Sequence, residues 1–149
     1  NRNYGEWLYS GTRAVSSIVE KGDVLAVFDL HSPWHISGRN DKVFCVRNSV
    51  ENLDNMRLFG KCFESSMTPD AMIYKTENDI NPNEEWNDAN KTTNCGSYCL
   101  KVANVPLSFS LETTYFGEEG NVVSQDKLVA TGRCFLEGFR KYLDTKGML

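Results

Sequence analysis

Apolar residues follow two different periods in the first third of the chain. Residues 12–20 carry apolar side chains at helical spacing and Gly22 follows them, which predicts a helix that ends near that glycine. Residues 24–28 form a short, uninterrupted apolar run, which predicts a central strand buried on both faces. Residues 42–46 predict another strand. The alternation of helices and strands indicates an α/β layer fold.

The middle of the chain changes from helical periodicity to an irregular polar stretch. Residues 50–65 predict a helix, for which Ser49 is the expected N-cap. Residues 76–94 are rich in Asn, Asp, Glu and Pro and show almost no periodicity. They predict a long loop or lid, a kind of segment that often has a functional role in compact domains.

Both patterns return near the end of the chain. Residues 106–111 alternate between apolar and polar side chains, which predicts a strand that has Glu112 on its polar side. An apolar stripe at helical spacing then follows Ser124, which predicts a capped C-terminal helix up to Leu143. No internal repeat interrupts this order, so residues 1–149 are expected to form part of a single domain.

Composition narrows the class of protein. With 149 residues, 40% hydrophobic and 24% charged, the chain has the length and composition of a globular domain. Its net charge of -4 and the lack of a basic cluster argue against a nucleic-acid partner. No apolar run approaches the roughly 20 residues of a membrane span. The start has no initiating Met and no signal peptide, so we expect a cut through a longer polypeptide, and the compartment is left undetermined.

The cysteines do not form a recognisable framework. The five are Cys45, Cys62, Cys95, Cys99 and Cys134. An odd number excludes complete internal pairing, and the spacing of Cys95 and Cys99 is a poor zinc motif. We expect ordinary thiols, some of them buried; a disulfide between Cys95 and Cys99 is the alternative for an exported protein.

Three separated residues carry candidate chemistry. His31 comes at the end of the apolar strand and is followed by Ser-Pro, so its imidazole is expected to emerge at an edge of the sheet, where it could bind zinc or be a structural histidine. His35 is a weaker candidate ligand, because Pro33 disfavours the helix that would align both histidines. Glu112 could act as a proton acceptor beside a metal-bound water, or be a surface glutamate on an edge strand. Arg2, judged only from its neighbours, would be expected to lie in a solvent-exposed chain terminus.

The order of these pieces resembles the second half of a zinc metallocarboxypeptidase of the M14 family. Asn1 and Arg2 match the family's Asn-Arg pair, which binds the terminal carboxylate of the substrate. His31, followed by Ser32, matches the third zinc ligand at the end of a strand. The Ser-Phe-Ser-Leu-Glu stretch at 108–112 matches the strand that carries the catalytic glutamate.

This resemblance implies a fold, a cofactor and a reaction. The implied fold is a mixed, mostly parallel sheet with helices on both faces, incomplete at the N-terminal side. The implied reaction is zinc-dependent hydrolysis of a C-terminal peptide bond, in which Glu112 and zinc activate water and Arg2 holds the free carboxylate of a peptide-like substrate. Ser32 belongs to the implied substrate site, and Tyr98 is the nearest candidate for the family's closing tyrosine. The terminal side chain would lie among residues 72–98.

The chain also departs from the family pattern. The family's His-x-x-Glu zinc motif and an upstream arginine, which precede the Asn-Arg pair, are not in this sequence. We therefore expect the isolated chain to be inactive and its partner to be the upstream half of the same catalytic domain. Two alternatives are a zinc deacylase of the same fold with another carboxylate anchor and a non-catalytic binding domain that has lost the metal.

Overall fold

Helices and short strands alternate along the chain, in agreement with the predicted α/β class. A computed structural model describes residues 3–33 and 39–149. In these ranges the elements are α1 (Ser10–Val19), β1 (Ala26–His31), β2 (Phe44–Val46), α2 (Leu53–Glu64), a 3-10 turn (Thr76–Asn78), α3 (Cys95–Lys101), β3 (Leu107–Glu112), β4 (Gly117–Glu118), β5 (Asn121–Val122) and α4 (Gln125–Thr145). None of the helices within these ranges has the length and apolar character needed to cross a membrane.

The best-predicted element is the C-terminal helix α4. Ser124 is its N-cap, and the Ser124 hydroxyl accepts a hydrogen bond from the backbone N–H of Lys127. Asp126 in the first turn suits the positive end of the helix dipole. Phe135 and Tyr142 of the predicted apolar stripe are buried, whereas Leu136 is 67% exposed, so only part of the stripe faces a core.

The central position in the sheet belongs to β3 and not to β1. Described strands form a three-stranded sheet of order β1-β3-β2 and a two-stranded antiparallel sheet of β4 and β5. All six residues of β3 are buried, so its alternating pattern does not mark a solvent-facing side. By contrast, β1 is only partly buried, and 63% of Leu30 is exposed. The prediction of a doubly buried central strand at 24–28 is therefore wrong, because an apolar run does not specify how many strands flank it.

The helix expected at 50–65 begins later than predicted. It starts at Leu53, whose backbone N–H donates to the carbonyl of Val50 in a turn before the helix. The hydroxyl of Ser49 donates instead to the carboxylate of Glu51, at 2.6 Å. The assignment of Ser49 as the N-cap is therefore wrong.

The predicted loop at 76–94 is confirmed as irregular, yet buried amides hold it in place. Its regular structure is confined to the 3-10 turn and a bridge between Ile80 and Val46. The Asn87 side chain is buried and donates to the carbonyls of Arg47 and Asn81, at 2.7 and 2.9 Å. A loop anchored in this way has an ordered base, because the buried amide of Asn87 is paired with backbone carbonyls on both sides of it.

The chain divides into two compact units. The first comprises Asn1–Leu30, Val46–Met56 and Ile80–Leu111, and it contains a cluster of buried residues: Tyr4, Val19, Cys95, Tyr98, Cys99 and Val105. The second comprises His31–Cys45, Arg57–Asp79 and Glu112–Leu149. Its core contains aromatic rings in contact with one another, namely Phe59, Phe63, Tyr74, Phe135 and Tyr142. Aromatic pairs of this kind add stability beyond the area that they bury.

Gly138 allows α4 to pack against α2 inside the second unit. A Cβ atom at this position would lie 2.6 Å from the Cα of Phe63, whereas a Cβ at Gly132 on the same helix would meet nothing within 4 Å. We predict that Gly138→Ala lowers the free energy of unfolding by about 1–3 kcal/mol through overpacking. Gly132→Ala is the matched control and should raise it by about 0.5–1 kcal/mol, because alanine favours the helix. Urea denaturation measures both changes, and equal effects would contradict this packing.

Candidate functional site

His31 lies where its sequence context predicts, at the end of β1. Pro33 two residues later lacks the backbone N–H that a continuing strand would use. The carbonyl of His31 accepts a hydrogen bond from the backbone N–H of Thr113, at 2.8 Å. Since Thr113 directly follows Glu112, this bond places the imidazole of His31 beside the carboxyl end of β3.

The His31 and Glu112 side chains are in direct contact. Nδ1 of His31 lies 2.8 Å from Oε2 of Glu112, although 81 positions separate the two residues in sequence. The His31 side chain is 33% exposed and the Glu112 side chain 3%. A hydrogen bond at this distance requires one proton between the two atoms. With an ionised carboxylate the proton is on Nδ1, and in a neutral imidazole Nε2 then carries the lone pair.

Burial explains why this pairing matters for Glu112. A carboxylate withdrawn from water is unfavourable unless it is paired or hydrogen-bonded, and the imidazole of His31 supplies that bond. The alternative of a surface glutamate on an edge strand is wrong, because Glu112 is buried and β3 lies between β1 and β2. The carboxylate in turn restricts the orientation of the imidazole.

Thr114 fixes the backbone that follows Glu112. Its hydroxyl donates to the carbonyl of Asn40, at 2.8 Å, and accepts from the backbone N–H groups of Phe116 and Gly117, at 3.2 and 2.8 Å. Thr114 itself is buried. Sequence reasoning missed this residue, although a hydroxyl residue three positions before a glycine is a signal for such a turn.

The imidazole of His31 is a type of ligand that zinc binds, but the described residues supply fewer ligands than a zinc site needs. Catalytic zinc takes three protein ligands, and imidazole and carboxylate are common among them. Within residues 3–33 and 39–149 no group of three or more His, Cys, Asp or Glu side chains could hold a metal ion. His31, the predicted metal ligand, is hydrogen-bonded to Glu112, the predicted general base.

Three predicted residues, Asn1, Arg2 and His35, lie outside the described residues. Ser32 is exposed directly after His31.

Tyr98, the candidate closing tyrosine, has the contacts of a core residue. It is 3% exposed on α3, its ring stacks on Tyr4 and its hydroxyl donates to the carboxylate of Glu20. Burial and the bond to Glu20 raise the pKa of Tyr98 to about 12. The role of Tyr98 at a substrate site stays a prediction that none of these contacts supports.

Comparison of the structure with solved structures gives a match at the level of the fold. The chain is similar to a metallo-carboxypeptidase from Burkholderia cenocepacia, with a TM-score of 0.64 and 17% sequence identity. The match covers 90% of this chain and 34% of the other, so this chain spans about a third of that protein's length. No protein-family model matches the chain, and neither does any curated protein. The similarity thus defines the class as an α/β domain with a metallo-carboxypeptidase-like fold.

Proposed function

We propose that this chain is part of a hydrolase and that His31 and Glu112 belong to its catalytic centre. The observation that carries the proposal is the 2.8 Å contact between the two side chains, formed at the ends of β1 and β3. A partly exposed imidazole against a buried carboxylate combines access to solvent with a fixed proton position. The metallo-carboxypeptidase-like fold favours hydrolysis over other reactions that such a pair could serve.

Glu112 is proposed as the general base. Its carboxylate can accept a proton from an attacking water and pass it to the leaving amine. Such positioned proton transfer typically contributes about 10²–10⁴-fold to the rate. The hydrogen bond from His31 keeps the carboxylate oriented, and the turn at Thr114 holds the backbone next to it.

His31 is proposed as the metal ligand that this chain supplies. A bound zinc ion would lower the pKa of its water to about 7 and so produce a nucleophile at neutral pH. The further ligands that zinc needs are proposed to come from polypeptide outside this sequence, in keeping with the one-third length match.

The proposed substrate is a peptide or peptide-like molecule with a free C-terminal carboxylate. The support is the Asn1-Arg2 pair, since a guanidinium can hold a carboxylate through two charge-assisted hydrogen bonds. A deacylase of the same fold would not require this anchor, so substrates with free and blocked ends distinguish the two activities.

Glu112→Gln is the decisive variant. In the whole polypeptide that contains this sequence, we expect bound zinc to be retained and kcat to fall by about 10²–10⁴-fold, because the amide cannot accept the proton. Glu118→Gln makes the same change at a side chain that is 44% exposed in the same unit, and it should leave kcat unchanged. Steady-state hydrolysis and metal analysis provide the readouts. A Glu112→Gln protein with parental kcat would remove Glu112 as the base.

Replacing each histidine separately tests the metal ligand. We expect His31→Ala to lose most bound zinc and all measurable hydrolysis, because one imidazole ligand is removed. His35→Ala is the comparison variant and should keep both. Zinc content after dialysis and activity with added zinc are the measurements. Full zinc occupancy in His31→Ala would reject this assignment.

Arg2→Ala tests the class of substrate. Loss of a charge-assisted pair of about 1.5–3 kcal/mol should raise KM roughly 10–150-fold for peptides with a free C-terminus. Peptides with an amidated C-terminus should show little change, and Arg13→Ala, on the exposed side of α1, should affect neither. Equal losses on free and amidated peptides would reject the carboxylate anchor and favour the deacylase.

A further inference from the structure

The chain leaves the sheet directly after Glu112 and turns through residues 113–117. Strand β3 ends at Glu112, and β4 begins at Gly117 in the same compact unit. Glu112 is buried, whereas Tyr115 and Phe116 are exposed, so only two residues separate the proposed base from a surface turn. The position of the Glu112 carboxylate therefore depends on how the residues after it are held.

Two backbone carbonyls of the segment His31–Cys45 hold these residues. The carbonyl of His31 accepts from the backbone N–H of Thr113, at 2.8 Å, and from the Thr113 hydroxyl, at 3.4 Å. The carbonyl of Asn40 accepts from the Thr114 hydroxyl, at 2.8 Å, and from the backbone N–H of Tyr115, at 3.2 Å. Three consecutive residues after Glu112 are thereby joined to the segment that carries His31.

The hydroxyl of Thr114 bonds in two directions. While it donates to Asn40, it also accepts from the backbone N–H groups of Phe116 and Gly117. Thr114 is buried, so water cannot readily replace these bonds. The turn is also tight: a Cβ atom at Gly117 would lie 2.2 Å from the carbonyl oxygen of Asn121. A single side-chain group thus holds the turn both to itself and to the neighbouring segment.

We propose that Thr114 is a positioning residue for Glu112, whose hydroxyl keeps the carboxylate where proton transfer requires it. The proposal rests on the proposed role of Glu112 as general base. A base must lie within about 2.6–3.2 Å of the proton donor. Misplacement by about 1 Å can lower the rate roughly 10²-fold, even when the substitution is remote from the reacting atoms. Thr114 touches no reacting atom and acts only through the backbone.

Thr114→Val is the test variant, because valine has the same shape but can neither donate nor accept a hydrogen bond. In the whole polypeptide that contains this sequence, we expect kcat to fall by about 10–100-fold. KM for a peptide with a free C-terminus should change little, because the carboxylate anchor is untouched. Bound zinc should be retained. A folded Thr114→Val protein with parental kcat would overturn the proposal.

Two variants separate positioning from general stability. Thr114→Ser keeps the hydroxyl and should restore most of kcat. Thr131→Val makes the same change at another buried threonine of this unit, whose hydroxyl accepts from the backbone N–H of Met72 and donates to the carbonyl of Lys127. It should lower the urea midpoint but leave kcat unchanged. An equal loss of kcat in Thr131→Val and Thr114→Val would reduce Thr114 to a structural residue and overturn the proposal.

A double variant distinguishes failure of this inference from failure of the proposed function. In Glu112→Gln/Thr114→Val, kcat should be no lower than in Glu112→Gln alone, because the group that Thr114 positions is already lost. A further fall in kcat would show that Thr114 acts on something else, which overturns the inference and leaves Glu112 as the base. Parental kcat in Glu112→Gln would instead remove the proposed function itself.

Hydrogen exchange provides a readout that does not depend on activity. The amides of Phe116 and Gly117 should exchange faster in Thr114→Val than in Thr114→Ser, because valine removes their acceptor. Equal exchange in both variants would contradict the role of the hydroxyl. If Thr114→Val does not fold, Thr114→Cys replaces it, since a thiol is only a weak donor and acceptor. Thr114→Cys should lower kcat, and parental kcat in that variant would overturn the proposal as well.

Discussion

A buried carboxylate requires a hydrogen-bond partner. In this chain the partner is a histidine at the end of a neighbouring strand, so the two strand ends must lie side by side. Glu112 completes β3, whose six residues are all buried. The imidazole of His31 satisfies the carboxylate, and the hydrogen bond between Thr113 and the His31 carbonyl holds the two chain segments side by side. Thr114 then fixes the segment that follows. The site is therefore set by backbone and side-chain bonds that reinforce one another.

The sequence patterns that predicted structure correctly are those whose effect depends only on residues nearby in the chain. Ser124 caps α4 because its hydroxyl accepts a hydrogen bond from the backbone N–H of Lys127. The two residues are three positions apart, so the sequence around them is enough to predict the cap. The helical spacing at 12–20 corresponds in the same way to α1. The α/β class follows from the order of such elements.

Predictions that depended on distant neighbours were less successful. The apolar run in β1 could not reveal that, among the strands of residues 3–33 and 39–149, β3 and not β1 has a neighbour on both sides. The helix α3 was missed because its seven residues are too short to show a period. The β4–β5 hairpin was missed as well; Gly120, in the turn between its two strands, has a positive φ that suits glycine.

The sequence was sufficient to select His31 and Glu112 as candidate site residues, but not to predict that their side chains are in contact. His31 and Glu112 were each identified from their positions at strand ends. Their hydrogen bond depends on strand register, which no local pattern specifies. The Thr114 turn was visible only as a weak local signal, and its partner Asn40 is far away in sequence.

The separation of 81 positions between His31 and Glu112 also has a kinetic meaning. Contacts between residues so distant in sequence require closure of a long loop, and such contacts slow folding in proportion to the entropy lost. Until β1 and β3 associate, the carboxylate has no imidazole beside it, and its burial is opposed by the loss of hydration. Burial of the Glu112 carboxylate in β3 is therefore compensated only in a chain in which β1 has already brought the imidazole of His31 beside it.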